Sequence, residues 1–283
     1  MLDEDDAEII LNTFGKMMYA YGDEADPLLK CKVFVAAVVE EQVKKMLEQA
    51  KITATERKCD RIDIVDIVFL FRRHLKQLNR MFQYLQSADL ARGYTRYNCF
   101  SSANDISTIA KPAVEDPEDD VILSDFGKDA QKMYVAISHW DATGEVRRFL
   151  KECPKDNVKI DRIRKMTKRT SEMDSNGYMK FSEARLYSMV SQSGKRSERE
   201  AQRFIRWMGN PKISTESLLL LSYIVSEMTC VIVEGAIIAR RDEDSTHFLN
   251  ETPVNCLQMR HYEQSLRKNR GYMERGSILL GYF

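Results

Sequence analysis

Apolar residues recur along this chain at a 3.6-residue period, and they do so in the same order twice: a short helix, a long helix and a further helix. In the first set, Ile10, Phe14, Met17, Met18 and Tyr21 share one face of a helix expected over residues 7–21. The stretch Gly22 to Pro27 breaks it, with Gly just past one helix and Pro at the start of the next. A long helix is expected over 27–55, with Val35, Val39, Val43, Met46, Leu47 and Ala50 on its apolar stripe. Glu40, Glu41, Lys44, Lys45 and Glu48 mark its wet face. After a polar turn over 56–61, the stripe Ile64, Ile67, Val68, Phe71, Leu75, Leu78, Phe82 and Leu85 predicts one continuous third helix.

The second set starts with a helix carrying Phe204 and Trp207 that ends at Gly209-Asn210-Pro211. A long helix follows with Leu218, Leu221, Val225, Met228, Ile232, Ala236 and Ala239 on its most apolar face. A polar break over 241–251 leads to a last helix expected to open at Thr252-Pro253, a good N-cap and N1 pair. The stretch Leu218 to Ile238 is long enough to cross a bilayer, but Glu227 and Glu234 interrupt it, so a buried helix of a soluble domain is the expectation. The acidic start Met1-Leu2-Asp3-Glu4-Asp5-Asp6 does not read as a secretory signal. Six scattered Cys with no Cys-x-x-Cys suit a reducing compartment.

Charge separates the rest of the chain into regions. Lys and Arg number 43, as do Asp and Glu, so the formal net charge is zero. A protein that wraps duplex DNA needs a large cationic excess, and this balance excludes one. The balance hides asymmetry. Residues 101–130 hold eight acids and two bases, with Pro112 and Pro117, and read as a disordered linker. Residues 141–212 hold 18 bases against ten acids. The expected segments are therefore 1–92, an acidic linker over 93–130, a basic helical middle over 131–194, and 195–283.

Several strings suggest chemistry that their details argue against. Glu172 to Glu183 follows a calcium-loop spacing, but Lys180 stands at a ligand position. Cys230, His247, Cys256 and His261 have no standard zinc spacing. No nucleophile elbow, P-loop or dinucleotide glycine pattern is present. No enzyme activity, cofactor or metal is expected. The run Arg162, Arg164, Lys165, Lys168 and Arg169 could serve nuclear import or bind nucleic acid; a solvated helix face is the commoner explanation.

The string Met17 to Asp23 with Asp26-Pro27, and Ile64 to Arg73 followed by Lys76, Asn79-Arg80 and Tyr84-Leu85, resemble histone-fold transcription factors. Both strings are shared by TATA-box-binding-protein-associated factor thirteen and the suppressor-of-Ty three family. Later strings separate the two. Asp141 to Glu145, Met173-Asp174-Ser175, Tyr178, Phe181 to Arg185, and Arg203-Phe204 with Trp207 resemble the middle of the suppressor-of-Ty three family. Thr252-Pro253-Val254 through Met259-Arg260 to Arg270-Gly271 and Ser277 to Leu280 resemble its C-terminus. His74 departs from the pattern, standing where members usually carry Asp.

The resemblance implies an all-α fold: two histone folds in one chain, paired intramolecularly and joined by the acidic linker and the basic middle. It implies a non-enzymatic, nuclear subunit of the SAGA transcription coactivator that binds TATA-box-binding protein, alongside other histone-fold subunits and without a membrane. Alternatives are a TFIID-type subunit and a sequence-independent DNA-binding histone-fold protein; direct DNA contact by the basic middle is left open. Pairing fits the physics. About eight aliphatic side chains on each long helix, at ~2 kcal/mol each, give on the order of 15 kcal/mol gross. Backbone ordering cancels most of it. Residues 1–92 without 195–283 are expected to be poorly folded.

Asp66 is expected either to pair with a loop base, Arg57, Lys58 or Arg61, or to act as a first-turn acid favoured by the helix dipole; Arg73 joins this structural set. The residues expected at a partner surface are Glu227, Glu234, Arg185 and Trp207. Glu227 lies beside an apolar stripe, so the edge of the pairing surface, solvent and a partner contact are all open to it; TATA-box-binding protein is basic, which favours an acid opposite.

Overall fold

Helix ends fall where local chemistry puts them. A computed structural model describes residues 3–100, 127–192, 197–244 and 256–279. Helix α1 (Glu4–Tyr21) starts at Asp3, whose carboxylate accepts the Asp6 N–H, and carries three acids in its first turn. It stops at Gly22, where φ is 127°, a backbone that L side chains rarely adopt. A Cβ there would also meet Ile237 Cδ1 at 2.6 Å. Helix α2 (Leu29–Glu56) follows, with Glu40–Lys44 and Glu41–Lys45 pairs on its wet face.

The chain divides into two compact units, residues 1–63 with 156–283, and residues 64–155. These cut across the four segments expected from the sequence. Residues 64–92 cluster with the start of the basic middle, and the rest of the middle clusters with both chain ends. Among the described residues there are twelve helices and no strand, only two isolated bridges.

The first unit holds α1, α2, α7 (Asn157–Ser171), α8 (Ser175–Ala184), α9 (Glu198–Trp207), α10 (Thr215–Asp244), α11 (Met259–Lys268) and α12 (Arg270–Arg275). Helix α10 is its axis and packs against α1, α2 and α11. It is long and apolar enough to cross a membrane, and 78% of its apolar window is buried here against the rest of the protein. Gly235 lets α11 approach, since a Cβ there would clash with Ser265 Oγ and lie 3.0 Å from Ser265 Cβ. Two connections tie loops far apart in sequence. Ile62, after α2, bridges in parallel to Ile213, before α10, through Ile62 N–H to Lys212 O (2.8 Å) and Ser214 N–H to Ile62 O (3.0 Å). Asp23, after α1, accepts the Leu257 N–H (3.1 Å) and the Tyr262 O–H (2.6 Å) at the start of α11. The bond to Tyr262 and burial both push its hydroxyl far above the usual tyrosine range, burial most. Asp6 joins α1 to α9 by accepting from Arg203 (2.8 Å) and Arg206 (3.0 Å).

The last helix of the chain differs from expectation. The Thr252-Pro253 start lies outside the described residues, and α11 is instead capped by Gln258, whose N–H bonds the His261 Nδ1 at 3.0 Å.

The second unit holds α3 (Ile64–Leu70), α4 (Leu75–Phe100), α5 (Lys128–Ser138) and α6 (Glu145–Glu152). The continuous third helix expected over 64–85 is two helices. The turn closes with short-range bonds from Phe71 N–H to Val68 O and from His74 N–H to Phe71 O. The apolar stripe stays in phase across that turn, with Phe71, Leu78, Phe82 and Leu85 all buried, so periodicity alone does not reveal the break. Phe69 meets Trp140 edge-on at 6.1 Å, and Phe82 lies 6.4 Å from Tyr134.

Candidate functional site

Helix α7 carries the centre of the basic run and has no buried residue. It begins at Asp156, whose carboxylate accepts the Val158 and Lys159 N–H groups. Its attachment rests on long side chains at positions 162, 166 and 169, which share one face.

Arg162 is held by two carboxylates from α10. Its Nη1 donates to Glu227 at 2.8 and 3.0 Å, and its Nε and Nη2 donate to Glu234 at 3.1 and 2.9 Å. Glu227 and Glu234 stand seven residues apart, two turns along one face of α10, so a planar guanidinium can bridge them. Burial would depress Arg162; the carboxylates outweigh it and raise the guanidinium above its ordinary value, so it stays charged. Burial also pushes the neighbouring Cys230 thiol well up. The Tyr21 and Ser226 hydroxyls bond each other beside it.

Arg169 reaches the other way, to the end of α1. Its guanidinium donates to Tyr19 O at 2.6 Å and Asp23 O at 2.9 Å. Helix α1 has no base in its own last turn, so Arg169 supplies the cation that the C-terminal end of the helix dipole favours. The same group lies 4.8 Å from the Tyr19 ring and 5.0 Å from the Phe181 ring. Those two rings meet edge-on at 5.7 Å, and Met166 and Met173 pack against them. Asp174 caps α8 by accepting the Gly177 N–H, and the calcium-loop-like string is helical from Ser175 onward.

A groove of about 590 Å³ opens beside the Arg162 clamp. Met17, Tyr21, Ile163, Met166, Ile237 and Ile238 form its apolar lining. Lys159, Lys165, Arg185 and Arg241 stand on it as cations. Among the described residues, no group of three or more His, Cys, Asp or Glu is placed to hold a metal.

The residues expected at a partner surface have different fates. Glu227 is 6% exposed and engaged by Arg162; Glu234, half-buried, is engaged by Arg162 as well. Arg185 is exposed at the end of α8, 6.0 Å from the Phe181 ring. Trp207 is 3% exposed, with its ring 5.9 Å from Phe14 and 5.8 Å from Phe204, so it packs in the core and does not face a partner. In the structural set, Arg57 and Arg61 both reach Asp63, at 3.5 and 3.3 Å. Asp66 is fully buried in the first turn of α3, and Arg73 is exposed. The basic run is not one solvated face: Arg162 and Arg169 turn inward while Arg164, Lys165 and Lys168 stay exposed. Of the suggested zinc set, His247 lies outside the described residues, Cys230 is buried and His261 serves the cap of α11.

Residues 11–96 match the histone-fold family described as transcription initiation factor IID, 18 kD subunit. Over most of its length the chain is similar to proteins named SAGA complex subunit Spt3. The one from Drosophila melanogaster is 22% identical over 245 residues, 85% of this chain and 56% of that protein. The one from Saccharomyces cerevisiae is 24% identical over 254 residues, 81% of this chain and 72% of its own length. The one from Schizosaccharomyces pombe is 23% identical over 237 residues, covering 78% and 70%. The resemblance to the suppressor-of-Ty three family read from the sequence is borne out by these relatives, and the chain spans little more than half the length of the fly one.

Proposed function

We propose that this chain is a non-enzymatic, nuclear subunit of the SAGA transcription coactivator that binds TATA-box-binding protein and regulates its recruitment to RNA polymerase II promoters. The observation that carries this reading is similarity to proteins named as SAGA subunits across 85%, 81% and 78% of the chain. The similarity runs well past the histone-fold match at 11–96 and takes in the middle and C-terminal regions.

The architecture behind it is two histone folds in one chain, over residues 1–92 and 195–283, paired with each other. Two contacts support the pairing. The loop after α2 bridges to the loop before α10, and Asp23 in the loop after α1 binds the segment that opens α11. Packing of the long helices α2 and α10 against each other supports a reciprocal pairing of the two halves. On this body, Arg185 and Glu234 remain candidates for direct contact with TATA-box-binding protein. Glu227 contributes by fixing α7, and Asp66 acts within the first fold.

The match of residues 11–96 favours a second reading, a TFIID-type subunit. Affinity purification of the tagged full chain followed by mass spectrometry separates the two. Co-enrichment of SAGA subunits without TFIID-specific ones is expected; the reverse supports the second reading. Purified TATA-box-binding protein should bind the full chain saturably, and absence of binding overturns that part of the proposal.

A further inference from the structure

Two half-exposed isoleucines mark the groove beside the Arg162 clamp. Ile163 on α7 is 49% exposed and Ile238 on α10 is 46% exposed, and both line it. A single exposed apolar side chain is ordinary on a soluble surface. Here two come from helices far apart in sequence and share one concavity with the half-buried Met166, above the buried Met17, which makes a patch. The net charge around it is positive. The clamp of Arg162 with Glu227 and Glu234 carries a net −1, and five further cations line the groove: Lys159, Lys165, Arg169, Arg185 and Arg241. Lys165, Arg185 and Arg241 are exposed.

We propose that this groove binds a short acidic helical segment of another protein that carries bulky apolar side chains on one face. Those anchors seat against Ile163, Met166 and Ile238, and the flanking carboxylates meet Lys165, Arg185 and Arg241. Both halves of the chemistry are needed. A nucleic-acid backbone would satisfy the cations and leave Ile163, Ile238 and the half-buried Met166 in water. A wholly apolar helix would bury the isoleucines and leave the cations without counter-charge. Methionines suit such a site because an unbranched thioether adapts to differing anchors. The groove and its rim belong to one compact unit, and the assignment does not depend on which complex the chain works in.

The test uses the full chain and a set of fluorescent, helix-forming peptides of about 14 residues, long enough for about four turns. They carry Leu, Phe or Trp at i, i+3 or i+4, and i+7 among Asp and Glu. One control set has Ser at the anchors, a second has Lys for every acid, and a third probe is duplex DNA. Anisotropy should show saturable binding only for acidic peptides with anchors. The pair Ile163→Ser with Ile238→Ser should weaken it by about tenfold or more and leave its salt dependence unchanged. The pair Lys165→Glu with Arg241→Glu should weaken it comparably and flatten the salt dependence. All four side chains are exposed, so unchanged melting of each variant confirms that the fold is intact. Failure of every anchored acidic peptide to bind, equal binding by the Ser controls, or preferential binding of DNA overturns the proposal. So does indifference of peptide binding to both pairs of substitutions.

Discussion

Arg162→Met should release helix α7 without unfolding the body beneath it. Methionine keeps much of the stem and removes the five donors that bridge Glu227 and Glu234. Glu227, only 6% exposed, then loses its guanidinium partner. Removing one member of a buried pair costs roughly 3–5 kcal/mol, because the remaining charge is left desolvated. Two features of this site reduce that figure. The Arg162 side chain is 22% exposed and Glu234 is 21% exposed, so water screens part of the interaction already. The second is that α7 can lift away and let Glu227 reach water. A helix of 15 residues with no buried residue is marginal in isolation, so lifting and fraying are one event. The net cost should be about 2 kcal/mol, roughly a thirtyfold rise in the population of the released state.

Hydrogen exchange reads this directly. In the full-length variant, amides of residues 157–171 should exchange about thirtyfold faster, while those of α1, α2 and α10 keep their protection. Adding Glu227→Gln should recover part of the loss, because the charge left behind is removed. Arg169→Met, which takes away the bonds to Tyr19 O and Asp23 O, should loosen the same helix from its other end. Unchanged exchange over 157–171 in Arg162→Met, or a loss of protection spread evenly through the unit, would falsify the clamp as the local attachment of α7.

Three other substitutions probe how the unit is held together. Tyr262→Phe deletes a 2.6 Å bond to a buried carboxylate of Asp23 and should cost about 1.5–3 kcal/mol, measured from the urea midpoint. Gly235→Ala drives a Cβ into Ser265 Oγ and to 3.0 Å from Ser265 Cβ, with the Ser265 Cα 3.5 Å away, so the Ser265 side chain and α11 must shift; the expected cost is about 1–3 kcal/mol in the same assay. Asp6→Asn addresses pH. Hydrogen bonds from Arg206 and Arg203 hold the Asp6 carboxyl below its ordinary value, so its contribution is complete above about pH 4 and fades as pH falls through the folded-state value. The variant should be less stable than the wild type at neutral pH, and the difference should shrink in acid. A difference that grows on acidification contradicts the pairing.

The helical class was legible because amphipathic stripes are long enough to declare themselves. Ile10 to Met18, Val35 to Ala50 and Leu218 to Ala239 fall in α1, α2 and α10, and their apolar positions are buried. The turn at 71–74 was not legible, because the stripe resumes in phase after it. Trp207 was expected at a surface from its place in a family string. Its spacing from Phe204 on a mostly polar helix is the stronger signal, and it points to the core. The clamp was hidden for another reason. The sign of a residue's charge does not say which way it faces, so Arg162 and Arg169 looked like their neighbours Arg164 and Lys168. A signal was present in the order Arg162, Met166, Arg169, a stepping of four and three that sets both arginines and a methionine on one face of α7. The acidic stretch over 101–126 lies outside the described residues.

The two carboxylates that break the apolar run of α10 are the same ones that recruit the basic middle, and this changes what a defect at Glu227 would mean. A carboxylate in contact with a basic partner and a carboxylate that positions α7 both predict weaker binding of TATA-box-binding protein on substitution. A double-mutant cycle with Arg162 separates them. If Glu227 acts by holding α7, Arg162→Met and Glu227→Gln impair binding through one shared event. The double variant should then be no worse than Arg162→Met alone, with a coupling energy of about 1 kcal/mol or more. If Glu227 touches the partner, the two losses act on different contacts and should add. The burial of Glu227 and its two bonds to Arg162 favour the first outcome, and additive losses in the cycle would return Glu227 to the partner surface.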